Sequence, residues 1–273
     1  MAYRRRHYGQ KAAPSLVHGL ALSAALLSAG QAAAGPWTQN KGDGVAIVSI
    51  GRQGGPLSAL TLPAEEGEKA SAQVYAEYGV SDGTTLGGSF FTDITPSTGE
   101  GSASITAFGR QRIWSTDASI ASIQIGGSYP VESLIGTDFA ESRPDSTPEL
   151  RASVLAGTGW WGDWGRAFGA ATVGFAWRSE GADDEVRGEL TGGYAPWDCC
   201  LAILSVYSTV TVDGEDPSLK IAPSLAYTFG PSTEANALKD EAPFKPWTIS
   251  AGVSQDVLGD DDFGVTFSLW KKF

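Results

Sequence analysis

The chain has 273 residues, 35 of them glycine, only 18% charged, and a formal net charge of −12. A chain this acidic does not bind nucleic acid by counterion release, and beyond residue 34 it has no polybasic patch for anionic lipid. The two histidines, His7 and His18, both fall within the first 34 residues. If those are removed, the commonest acid–base side chain is missing from everything that follows.

The first 34 residues read as an export segment. Arg4, Arg5, Arg6 and Lys11 make a basic start with no acidic residue, Leu16 to Leu27 is mostly apolar, and Ala32-Ala33-Ala34 supplies small residues for cleavage. This pattern predicts a signal peptide, residues 1–34, cut near Ala34, and a single domain over 35–273. The apolar run is too short and too interrupted to span a bilayer as a helix, and no cysteine near the site marks a lipoprotein. Removal takes four basic residues and no acidic one, so the remainder carries a net charge of −16. Nothing after residue 34 is apolar for long enough to cross a membrane as a helix, so any span there consists of strands.

From residue 43 the pattern has period two. Twelve strands are predicted, at 43–52, 69–80, 84–93, 102–115, 119–131, 149–160, 166–179, 185–196, 200–212, 218–229, 246–258 and 263–273. In 69–80, Ala70, Ala72, Val74, Ala76, Tyr78 and Val80 share one face, with Lys69, Ser71, Gln73, Tyr75 and Glu77 on the other. The stretches 102–113, 166–178 and 218–229 repeat the arrangement, each keeping its charges on one side. Segments 43–52 and 200–212 alternate poorly. Short connections (Ser81-Asp82-Gly83, Thr116-Asp117-Ala118, Trp161 to Gly165) alternate with long ones (53–68, 94–101, 132–148) through the first half. That is expected of a barrel with tight periplasmic turns at one end and surface loops at the other. The 230–245 connection is long where a short turn belongs, which leaves ten or fourteen strands open.

Alternation places charges inside and apolar groups outside. The predicted pore-lining set is Lys69, Glu77, Arg110, Arg112, Arg151, Arg166, Arg178, Glu185, Arg187, Glu189 and Lys220. Rings of charge set ion preference in a pore, and Arg110, Arg112 and Arg166, opposed mainly by Glu77, predict a weakly anion-preferring neck toward the turn end. The same residues, paired across a small barrel, plug it instead. Eight strands leave a filled interior and about 16 an aqueous channel, so twelve decides neither way.

Aromatic residues near the strand ends (Tyr78, Trp160, Trp177, Tyr194, Trp197, Tyr227, Trp247, Phe263) read as interfacial girdles. In the last strand, Phe263, Val265, Phe267 and Leu269 alternate with Gly264, Thr266, Ser268 and Trp270, and the chain stops at Phe273. This ending resembles the C-terminal signature of bacterial outer-membrane barrels, departing from it at Lys271. The resemblance implies an all-β, single transmembrane, antiparallel up-and-down β-barrel of about twelve strands in a Gram-negative outer membrane. Phe273 is then the assembly signal read by the barrel-assembly machinery, and membrane lipid and lipopolysaccharide are the surroundings.

Enzymatic outer-membrane barrels rely on histidine, and no Ser–His or Asp–His set survives export here, so the expectation is a non-enzyme without cofactor. The adjacent Cys199-Cys200 pair makes a poor zinc site, and a vicinal disulfide and two plain thiols are both open. The acidic clusters Glu65-Glu66 with Glu68, Asp183-Asp184-Glu185, Asp213 with Glu215-Asp216, and Asp260-Asp261-Asp262 offer oxygen ligands that divalent cations would accept, though a solvated rim explains them as well. Two functions are therefore expected to compete: a porin-like channel for small polar or ionic solutes, and a non-conducting structural or adhesive barrel whose loops make the contacts.

Overall fold

The computed structural model describes residues 36–54, 68–95, 101–131, 147–179, 182–212, 217–230, 246–258 and 262–273. The predicted export segment and the clusters Glu65-Glu66, Glu215-Asp216 and Asp260-Asp261 lie outside them. The strands are β1 (Gly44–Gly54), β2 (Lys69–Ser81), β3 (Thr84–Ile94), β4 (Gly101–Ser115), β5 (Ser119–Pro130) and β6 (Glu149–Gly162). They continue as β7 (Gly165–Arg178), β8 (Glu185–Trp197), β9 (Cys200–Thr211), β10 (Ser218–Phe229), β11 (Trp247–Leu258) and β12 (Phe263–Lys272). No predicted boundary moves by more than two residues. Twelve is the number, and 230–245 joins two genuine neighbours, since Phe229 and Trp247 are directly paired.

Each strand pairs antiparallel with the next, and β1 pairs with β12 from Val45↔Lys272 to Gly54↔Phe263, which closes the ring. Closure leaves no edge strand with its row of unpaired backbone groups, the condition for a sheet to cross a membrane. The outer face is correspondingly apolar, with Val173 60%, Leu190 61% and Leu225 68% exposed. An apolar surface this extensive does not stand in water on a monomer.

The wall has two distinguishable ends. The turn end carries the hairpins at 82–83, 116–118, 163–164 and 198–199 together with the start of β1 and Phe273. Its outer rim holds Tyr78, Trp114, Trp160, Trp164, Tyr194, Trp197, Tyr227 and Trp247. At the opposite, loop end stand Tyr129, Trp177 and Phe263. The predicted girdles are present, with most of the aromatic residues at the turn end.

Candidate functional site: the barrel lumen

Ahead of β1, residues 36–43 turn inward and run inside the barrel at the turn end. Gly42, at φ 88°, takes a backbone conformation that residues with a Cβ rarely adopt, and it makes the bend. Gly42 N donates to the Gly79 carbonyl and Gly79 N to that of Asp43, each at 2.9 Å, which fastens the strap to β2. Deeper in, Ser122 donates to the Pro36 carbonyl (2.6 Å), Arg110 to that of Trp37 (2.8 Å), and Gln39 N to Thr85 Oγ1 (2.8 Å). The Trp37 ring meets Phe168 edge-on with centroids 6.0 Å apart. Gly157 provides the space: a Cβ there would lie within 3 Å of both Pro36 and Trp37.

Around the strap the inward face is apolar. Val45, Ile47, Tyr75, Phe108, Leu201, Ile203, Ala226 and Trp270 form one buried cluster, with Trp37, Phe168 and Ala195 packed against it. This explains the poor alternation of 43–52 and 200–212: those strands are apolar outside toward lipid and inside toward the packed lumen. One ion pair sits within this packing. Arg110, 1% exposed, lies 3.5 Å from the Glu77 carboxylate, donates to Gln124 (3.1 Å), and stacks over the Phe108 ring at 5.2 Å. Glu77 also accepts from Tyr75 (2.6 Å) and from the Gln39 amide. A carboxylate and a guanidinium at this depth are tolerable only because they face each other and are hydrogen-bonded on several sides.

The loop half of the lumen is polar. A cavity of about 810 Å³ is lined by the inward residues of β9–β12 and β1–β3, among them Ser49, Ser71, Gln73, Thr209, Ser254 and Thr266. Lys69 faces it and makes no ion pair among the described residues, while Lys220 sits 3.4 Å from Asp256. On β6–β8 five charges form an unbroken chain, Arg151–Glu149–Arg187–Glu185–Arg178. Glu189 lies beside it and accepts from Thr191 at 3.0 Å.

The eleven predicted lining residues thus separate into three groups. Lys69, Lys220, Glu189 and the five-membered chain face the polar half. Glu77 and Arg110 are sealed beneath the strap. Arg112 and Arg166 belong to the turn rim, where Arg112 donates to the Asp82 carbonyl and Arg166 pairs with the fully exposed Asp198. The three arginines expected to form a neck therefore do not gather into one, because the strap occupies that level of the lumen. The strap itself escaped sequence reading. Its trace in the sequence is the set of inward glycines Gly79, Gly157 and Gly193, each placed where a side chain would strike the strap or the Phe168 ring beside it. The Cys199 and Cys200 sulfurs, in the β8–β9 hairpin, stand 3.2 Å apart and unbonded.

No protein-family model matches the chain, and no curated protein matches it. Solved structures do. The barrel is similar to the KdgM porin, at TM-score 0.51 and 7% identity over 83% of this chain and 99% of that one. It is similar to an outer membrane channel from Pseudomonas putida F1, at 0.53 and 12% over 90% of this chain and all of the other. A third likeness is to the β domain of the Bordetella autotransporter BrkA, at 0.50 and 12% over 86% and 100%. At such identities the shared property is the fold: this chain closes as the transmembrane barrels of bacterial outer membranes do.

Proposed function

We propose that the protein is a porin-like, non-enzymatic channel of a Gram-negative outer membrane that admits small polar or ionic solutes from the loop end. The carrying observation is the cavity in the loop half, lined by hydroxyl, amide and charged side chains, inside a wall whose outer face suits lipid. Hydroxyls, amides and paired charges exchange hydrogen bonds with a solute as water does, so a polar molecule loses little on entering. The likeness to a porin and to a channel supports this reading. Export by the segment 1–34, recognition of Phe273 by the assembly machinery, and bridging of acidic loops to lipopolysaccharide by divalent cations belong to the same proposal.

A second reading rests on the packed turn half: a non-conducting barrel, stoppered by the strap and by Arg–carboxylate pairs, whose loops bind at the surface. The likeness to an autotransporter β domain suits it equally. Planar-bilayer recording separates the two. The channel reading expects discrete conductance steps from the folded, heat-modifiable barrel. Silence at every voltage, with the strap present and with it deleted, leaves only the second reading.

A further inference from the structure

The strap is attached as a ligand is, through polar groups at its main chain and one aromatic anchor, rather than as a strand of the wall. Three of its backbone groups are held by side chains of different strands: the Pro36 carbonyl by Ser122 of β5, the Trp37 carbonyl by Arg110 of β4, and Gln39 N by Thr85 of β3. Its large side chain enters a recess made by Gly157 and Phe168. Only beyond Gly42 does it join the continuous ladder of the sheet. The wall closes without it, since β1 begins at Gly44 and pairs on both sides from there. Main-chain recognition with one anchoring pocket is how extended peptides are bound.

We infer that the turn half of the lumen is a binding site for an extended peptide, occupied in cis by residues 36–43, and that vacating it opens the passage. The inference rests on the channel reading. The buried polar atoms left without partners around the strap, Thr38 Oγ1, Arg110 Nη2 and Trp270 Nε1, fit a seat that can be left. Water can satisfy all three once the strap withdraws, so leaving is not opposed by these groups. The tether keeps the strap at high effective concentration, so the closed arrangement dominates and openings are brief.

Two experiments use the full chain, exported and folded. In a Cys199→Ser/Cys200→Ser background, Gln39→Cys with Thr85→Cys places thiols on residues already in contact. Oxidation is expected to abolish openings, and reductant to restore them. Locked and unlocked barrels conducting alike would overturn the inference and leave the channel reading intact. Second, deletion of residues 36–40 is expected to raise mean conductance at least tenfold. A synthetic peptide of residues 36–43, added at the turn side, is expected to block that current saturably, and a Trp37→Ala peptide at least tenfold less well. A deletion that conducts no more than the parent, or is blocked equally by both peptides, overturns the site. If the deleted barrel fails to close, Gly157→Leu, which fills the recess without touching the ladder, reads the same effect. No current from the parent, the deletion or Gly157→Leu would fail the channel reading, whereas current insensitive to strap and peptide fails only this inference.

Discussion

The two halves of the lumen are built from the same twelve strands and behave as different materials. At the turn end a large apolar cluster faces inward, the Arg110–Glu77 pair is sealed within it, and a chain segment fills the axis. At the loop end hydroxyl, amide and charged side chains line a cavity of about 810 Å³, with five of the charges paired in a partly exposed chain. Strand number alone fixes neither outcome. What differs is side-chain volume on one face of the pleat and whether a segment of chain enters to use the space. A barrel is thus a core at one level and a vessel at another, and the cost of a substitution depends on its level.

That contrast predicts a gradient of effects. Arg110→Met leaves Glu77 buried without its partner and is expected to lose about 3–5 kcal/mol, read by denaturant unfolding in micelles. Pairing it with Glu77→Leu is expected to recover most of the loss; a double variant as weak as the single one would deny that the pair is a desolvated unit. Next comes Trp37→Ala, which empties the Gly157–Phe168 recess. It is expected to cost about 2–3 kcal/mol, below the fully buried range because Trp37 is only half-buried. Its strap should also be cleaved faster by added protease, and an unchanged rate would break the distinction between packed and empty halves. In the loop half, Arg187→Ala removes the link between Glu149 and Glu185, both partly solvated. A loss of about 1 kcal/mol or less is expected. The reversal potential of the strap-deleted barrel should move toward cation preference, since two carboxylates lose a shared partner. The smallest effect belongs to Ser71→Ala on the cavity wall, expected to fall within about 0.5 kcal/mol of the parent. A loss there comparable to that of Trp37→Ala would mean the loop half is packed after all.

The wall was almost wholly legible because its determinants are local. Alternation over ten or so residues fixes which way each side chain points, and turn residues fix where a strand ends. The strands at 43–52 and 200–212 were the least distinct because Val45, Ile47, Leu201 and Ile203 face a packed interior, so both faces are apolar. The long 230–245 connection suggested a miscount, yet connection length has no bearing on the pairing of β10 with β11. The content of the lumen was not legible. Alternation identifies Arg110 and Arg151 alike as inward, but not that one is sealed under Trp37 while the other faces open space. That distinction depends on contacts spanning 73 residues, between Arg110 and Trp37, and 86, between Ser122 and Pro36. No window along the chain contains them.

The seam between the first and last strands also bears on the strap. Gly44 and Phe273 exchange two hydrogen bonds, each 3.0 Å, and the Phe273 ring lies over Gly44 where any added Cβ would collide with it. Gly44 is also the residue at which the strap ends. Phe273 therefore clamps the root of the strap as well as the seam. The seam and the stopper thus share one residue, so a change at Gly44 that loosens the barrel's closure also loosens the base of the segment inside it.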